Sequence, residues 1–278
     1  MSVAKEQREK LIWEFPNIGK KAPEQEEKAF AYCEGYKEFL NVAKTEREFV
    51  REAVLRLKEA GYEEFEEGKI YQPGDKVYQI NRKKALLMST FGKRPLEDGV
   101  RINVAHIDSP RLDLKPNPLY EKAEAAYFKT HYYGGIRKYQ WATIPLAMHG
   151  VVILKDGTSV DICIGEKEGD PVFCVTDLLP HLAAQQNERK LKDGIKGEEL
   201  NINVGSLPYP CEEEDSIKEP VKLLALSILN ERFGMTEKDF LRAEIEFVPA
   251  VKATDVGLDR SLVGAYGQDD KVCAYTAL

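Results

Sequence analysis

"GVRINVAHIDSPRLDLKP", residues 99–116, is the stretch on which the reading of the whole chain turns. Gly99 to Ala105 alternates apolar with polar and reads as a strand that runs directly into His106. In extended backbone, residues two apart project from the same side, so His106 and Asp108 face one way at the strand's end. A neutral imidazole is a good ligand for a divalent metal. A carboxylate on its far nitrogen fixes the tautomer and raises the basicity of the ligating one. Taken alone, the short pattern favours a plainer reading, a strand-end histidine bonded to a nearby loop with Asp108 capping a turn.

The flanks of this stretch differ in texture. Upstream, residues 23 to 60 read as helical: Pro23 lies near a first turn, and Phe30, Cys33, Tyr36, Phe39 and Leu40 recur at helical steps. Thr45 followed by Glu48 spells a capping box that opens a second helix. Phe49, Ala53, Leu55, Leu57 and Ala60 supply its apolar face, and Gly61 its stop. Strands are expected near Lys76–Ile80 and Ala85–Thr90, joined through the polar Asn81-Arg82-Lys83 turn. Downstream of Leu112, prolines and aromatics become dense (Pro116, Pro118, Tyr120, Tyr127, Tyr132, Tyr133, Tyr139, Trp141) around Gly134-Gly135. Thr143–Leu154 and Ser159–Ile164 read as a hairpin through Asp156-Gly157. A helix is expected near Asp177–Leu191, then a polar, mobile loop over 187–220 whose run Glu212 to Asp215 reads as solvated surface. Val221–Phe233 forms a helix stopped by Gly234, and Leu241–Val248 a half-buried strand. The middle block, 109–250, therefore reads as a β-rich insertion with α/β texture on either side. A last helix opens at about Asp269 and runs to Leu278, nine residues in, which suggests a truncated chain.

Composition bounds the function. The chain has 278 residues with 40 basic against 47 acidic side chains, a net charge of −7, and no stretch that gathers Lys and Arg on one face. The footprint of a nucleic-acid binder is missing. The longest apolar runs, such as Leu146–Leu154, fall far short of the roughly 20 residues a membrane span needs. Met1–Lys10 is charged and lacks the apolar core of a signal peptide. Five cysteines, Cys33, Cys163, Cys174, Cys211 and Cys273, form no CxxC pair and are odd in number. They point to reduced thiols in a cytoplasmic setting, and their spacing argues against zinc ligation.

A second signal lies in "GAYGQDDKVCAY", residues 264–275. Two adjacent carboxylates opening a helix need compensating charge. The helix's free N–H groups and dipole supply part of it, and a metal bridged by one of them would supply more. Alone, it reads as ordinary N-cap chemistry.

Together these stretches carry a resemblance. "AHIDSPRLDLKP" (105–116), "KYQWATIPLAMHGVV" (138–152), "TDLLPHLA" (176–183) and "DVGLDRSLVGAYGQDDKVCAYTAL" (255–278) resemble, in order, motifs of the aspartyl aminopeptidase / vacuolar aminopeptidase I family, from about residue 25 onward. The resemblance implies an α/β fold. A zinc-aminopeptidase-like α/β/α catalytic domain (1–108, resuming at 251–278) is interrupted by a β-rich dimerisation domain (109–250). It implies a metalloaminopeptidase that releases N-terminal residues from peptides by two-metal-assisted hydrolysis. The cofactors would be two divalent ions, zinc foremost with cobalt or manganese as alternatives. His106 resembles the first histidine ligand, Asp108 the aspartate that orients it, and Asp269 the carboxylate bridging both ions, with Asp270 following it. His181 is the nearest candidate for a histidine that reaches a neighbouring subunit's active site, although many members carry a second histidine where Gln185 stands here. His131 and His149 read as structural. Partners are peptide substrates and further copies of the chain, dimers building to a dodecamer, with no nucleic acid and no membrane. "KYQWATIPLAMHG" resembles the aminopeptidase I branch, implying a preference for neutral N-terminal residues. A Glu-Glu pair, an Asp and a final His belong beyond "QDDKVCAY", and Glu63-Glu64 or Glu66-Glu67 cannot replace them. Residues 1–278 alone are accordingly expected to be inactive; the alternative is a non-catalytic oligomerisation or scaffolding fragment.

Overall fold

The computed structural model describes residues 3–13, 22–210 and 217–278. The acidic run from Glu212 to Asp215 and Cys211 lie outside the described residues; Cys33, Cys163, Cys174 and Cys273 are free thiols. After helix α1 (Val3–Leu11), a 3-10 turn at Pro23–Gln25 leads into α2 (Glu26–Val42), followed by α3 (Glu46–Glu59). The capping box forms as read. Thr45 Oγ1 accepts from the Glu48 amide at 3.3 Å, and Glu48 Oε2 accepts from the Thr45 amide at 3.0 Å. Arg56 and Lys58 sit in the last turn, where cations suit the carbonyl end. The buried face of α3 is Phe49, Val50, Ala53, Val54 and Leu57, while Leu55 points out. The two seams 49-53-57 and 50-54 explain why: both run at four-residue steps down one side. Thr45→Ala should cost about 1 kcal/mol, read as a lower denaturant midpoint at unchanged slope.

Strands β1 (Glu63–Glu64), β2 (Lys76–Asn81) and β3 (Ala85–Thr90) make a small sheet. The β2–β3 hairpin closes on the pair Asn81 and Ala85 across Arg82, Lys83 and Lys84, and Arg82 and Lys83 take positive φ in the turn. A second, larger sheet takes its seven strands from residues 111–249: β4 (Arg111–Lys122), β5 (Ala125–Tyr133), β6 (Leu146–Ile153), β7 (Ser159–Ile164), β8 (Cys174–Val175), β9 (Ile202–Gly205) and β10 (Ala243–Pro249). Their order is β7-β6-β10-β4-β5-β9-β8, antiparallel throughout. The main core lies on this sheet, where Leu112, Phe128, Leu146, Met148, Ile202 and Phe247 are all but fully enclosed. Helices α4 (Ala184–Asn187) and α5 (Pro220–Phe233) connect its strands, and Gly234 stops α5 in the left-handed region. Pro116 and Pro118 cannot donate to a ladder, and the β4–β5 register shifts between Leu114 and Leu119. Gly150 on β6 lets β10 approach closely, since a Cβ there would meet the Glu244 carbonyl oxygen at 2.0 Å.

A short ribbon of β11 (Thr254–Val256) and β12 (Leu262–Gly264) leads into helix α6 (Gln268–Ala277). Helices α2, α3 and α6 share a second core through Phe39, Ala43, Phe49, Ala53 and Ala274, and a third joins α3 to β2.

Three expectations are corrected. Gly99–Ala105 forms no strand: Ala105 and Ile107 turn toward the helical core, but among the described residues no strand lies alongside, and Val100, Ile102 and Val104 are exposed. An alternating pattern makes a strand only where a ladder partner lies alongside. The helix over Asp177–Leu191 shrinks to α4, because Pro180 disfavours helical backbone before it and the chain turns there. The 187–220 stretch is not one loop: Ile202 and Val204 carry β9 into the large sheet beside β5. The described residues contain no helix long and apolar enough to cross a membrane.

Candidate metal site

Residues 99–110 carry no regular secondary structure, touch the helical core through Ala105 and Ile107, and become β4 at Arg111, the middle strand of the large sheet. Ala105 and Ile107 pack inward, which turns His106 and Asp108 outward together. They border a groove of ≈ 800 Å³ lined by β3, residues 100–108 and the end of α6. From the other end of the chain, Gly267 opens α6 with φ +80°, and a Cβ there would meet Lys271 Nζ at 2.7 Å. That glycine lets the helix start close against Ser109, so Asp269 arrives beside His106.

His106 Nδ1 lies 3.0 Å from Asp108 Oδ1, and its Nε2 lies 3.2 Å from Asp269 Oδ1, across 163 positions of sequence. A carboxylate on Nδ1 assigns the proton there and leaves the lone pair on Nε2. Tyr133 Oη donates to Asp108 Oδ2 at 2.8 Å, so both oxygens of Asp108 are engaged. Buried Lys271 donates to Ser109 Oγ at 2.8 Å, and Ser109 Oγ donates to the Asp269 carbonyl at 3.2 Å. Burial on its own would lower the His106 pKa, but the hydrogen bonds to Asp108 and Asp269 outweigh it and hold the imidazole above its ordinary value. Burial would likewise raise Asp108; the bonds from Tyr133 and His106 win and hold it below the usual range. Desolvation lowers the Lys271 ammonium to about 8.

This arrangement fits a divalent cation. His106 Nε2 and the Asp269 carboxylate converge on one point, and their side chains are 52% and 93% exposed, so the space beyond them is open. Imidazole nitrogen with carboxylate oxygen is a donor set that suits zinc, cobalt and manganese. Two side chains fill part of a tetrahedral set only.

His181 lies in an exposed turn just before α4 and makes no hydrogen bond or ion pair with the His106 cluster among the described residues. His131 is exposed on β5 beside Tyr132. His149 is buried between Glu48 Oε1 at 2.7 Å and Glu166 Oε1 at 3.1 Å. Burial opposes its protonation, yet the two carboxylates raise its pKa to about 9. Glu48, His149 and Cys163 could in principle surround an ion. Unlike the open His106, His149 is enclosed, and Lys44 and Lys252 already pair with Glu166, so we read a structural imidazolium here.

Sequence reasoning missed Tyr133, Ser109 and Lys271. Ser109 and Lys271 flank the two motifs directly, which was the available signal. Tyr133 reaches the site through its register opposite Arg111, which no local pattern encodes.

With this geometry in view, comparison with known proteins decides the relationship. Residues 39–278 match the profile of the aminopeptidase I zinc metalloproteases, M18. The chain belongs to this family. It is 50% identical over 272 residues to a probable M18 family aminopeptidase 1 of Clostridium acetobutylicum, covering 96% of this chain and 58% of that protein. A solved M18 aminopeptidase of Thermotoga maritima superposes with a TM-score of 0.88 at 46% identity, covering 96% of this chain and 57% of that one. The S. cerevisiae mApe1 dodecamer shares the fold, with a TM-score of 0.65 at 19% identity over 88% of this chain and 54% of its own. The M18 chain thus spans somewhat over half the length of the relatives it matches.

Proposed function

We propose that this M18 chain forms part of a metalloaminopeptidase that releases N-terminal residues from peptides, with His106 and Asp269 as metal ligands and Asp108 orienting the imidazole. The convergence of His106 Nε2 and Asp269 Oδ1 at 3.2 Å carries the proposal. Divalent ions, zinc foremost, would supply Lewis acidity and lower the pKa of a water. The protein's own residues do the rest of what is visible here. Asp108 holds the Nδ1 proton and so aims the Nε2 lone pair at the shared point. Asp269 brings a negative charge that offsets like-charged ions. Two ions as a pair, a preference for neutral N-terminal residues, and action in the cytoplasm on peptide substrates belong to the same proposal.

The seven-stranded sheet is proposed as an inserted dimerisation domain (109–250), between the two parts of the catalytic domain (1–108 and 251–278). Copies would then assemble further, consistent with the dodecamer formed by the S. cerevisiae relative. His181, exposed on that block, is proposed to act toward a neighbouring copy's site.

The test is a polypeptide that contains residues 1–278 and spans the relatives' length, assayed on aminoacyl substrates with bound metal quantified. Chelation is expected to abolish hydrolysis and zinc to restore it. Metal-independent turnover, or none in the zinc-loaded protein, would overturn the proposal, the latter in favour of a scaffold. Among the described residues, 1–278 bring two proposed ligand side chains to this point, and this stretch by itself is expected to turn over little.

A further inference from the structure

Behind Asp108 lies a second layer of contacts, and it is more elaborate than orienting one carboxylate by its histidine requires. Tyr133 is the cross-strand partner of Arg111 in the β4–β5 ladder. The Arg111 guanidinium carbon lies 4.1 Å from the centroid of the Tyr133 ring, within the range of a cation–π contact. Arg111 is itself buried and fixed from several sides. Nη1 donates to Glu46 Oε1 at 2.9 Å, and Nε donates to Asp113 Oδ1 at 2.8 Å with Glu246 Oε2 at 3.1 Å. Those carboxylates come from three elements: α3, β4 and β10. Burial first, and Glu46 next, push the Glu246 carboxyl up to about 8.

We propose that Arg111 and Tyr133 are a positioning pair for Asp108: the guanidinium, clamped by Glu46 and Asp113, holds the Tyr133 ring so that its hydroxyl fixes the plane in which the Asp108 carboxylate faces His106. The inference rests on the metal-site reading above and extends it by one shell. A carboxylate with one partner swings about its bond to the chain. Asp108 has two, one on each oxygen, and so presents Oδ1 to Nδ1 in a single orientation. Tyr133 as a residue is 40% exposed, and its ring would be free to turn away from Asp108 without the cation beneath it. A planar guanidinium suits this role, since it stacks on a ring face while its edge donates to carboxylates; an ammonium offers only a point charge.

The experiment uses the polypeptide spanning the relatives' length. Zinc affinity is measured by competition with a chromophoric chelator, and the His106 imidazole is followed by its ring ¹⁵N shifts in the metal-free protein. Tyr133→Phe keeps the ring on the guanidinium and deletes only the hydroxyl. It is expected to weaken zinc about tenfold, in the range for outer-shell partners of ligating histidines, and to move the ¹⁵N shifts away from a fixed Nδ1–H tautomer. Arg111→Lys keeps the charge that the surrounding carboxylates need and should weaken zinc alone, yet add nothing in the Tyr133→Phe background. Additive losses in the double variant would overturn the route through Tyr133. Unchanged zinc affinity and ¹⁵N shifts in Tyr133→Phe would overturn the pair, provided that His106→Ala loses zinc. A His106→Ala variant that keeps zinc would instead take down the metal-site reading and this inference with it.

Discussion

His106→Ala, in the polypeptide spanning the relatives' length, is expected to lower kcat/KM for aminoacyl substrates at least about a thousandfold, since a metal supplies several kcal/mol of transition-state stabilisation. The loss should appear with a matching drop in bound zinc, while the metal-free parent and variant share one thermal midpoint, because the His106 side chain is half exposed and packs against nothing in the core. The direction distinguishes a ligand from a structural histidine. Hydrolysis retained within tenfold would show that the 3.2 Å approach of His106 to Asp269 is an ion pair and nothing more.

His149→Leu should act in the opposite manner, on stability rather than on the metal. His149 bridges Glu48 at the start of α3 to Glu166 just after β7, tying the helical core to the large sheet. Around it, Lys44 donates to Glu166 at 2.6 Å and to the Pro249 carbonyl at 2.8 Å, and Lys252 reaches Glu166 at 2.9 Å. Removing one partner from such a buried set leaves charge uncompensated, at a cost of about 3–5 kcal/mol. Leucine also leaves Glu48 with its capping bonds alone.

The pH dependence has a defined sign. The His149 pKa is raised to about 9 from 6.5, so its contribution is fully present below about 6.5 and fades as pH rises through about 9. Burial opposes the Glu166 shift, but His149, Lys44 and Lys252 hold this carboxyl down to about 2 from 4.5. Its contribution is present above 4.5 and is lost as pH falls toward 2. The difference in unfolding free energy between the parent and His149→Leu should therefore be largest between about pH 4.5 and 6.5 and shrink by pH 9. A difference that stays constant from pH 6 to 10 would exclude an imidazolium between these carboxylates.

Much of this was legible in the sequence, and the pattern of what was not is physical. Features written in consecutive residues came through: the Thr45–Glu48 box, the Asp156-Gly157 hairpin, the Gly234 stop and the outward pairing of His106 with Asp108. So did the helix opening at the QDD motif, where Gln268 begins α6. Features that depend on who lies alongside did not. Gly99–Ala105 has strand-like alternation without a neighbour, whereas Ile202–Gly205 alternates over only four residues within a polar stretch and is a strand because β5 lies alongside. Tyr133 belongs to the site only because β4 and β5 pair in one register. His149 read as structural, and its position between two carboxylates explains why a buried histidine is tolerated there, but neither Glu48 nor Glu166 announced itself as its partner.

The first and last strands of the large sheet, β4 and β10, are immediate neighbours, with Leu112 opposite Phe247. The chain thus departs on its excursion and comes home through one doorway, two backbones wide at about 5 Å between paired Cα atoms. Whatever is added to or trimmed from the far strands, the chain re-enters beside the strand that follows His106, and the contacts of Ser109 and Lys271 then bring Asp269 to it. Evolution could reshape the outlying strands repeatedly while the two residues kept their appointment.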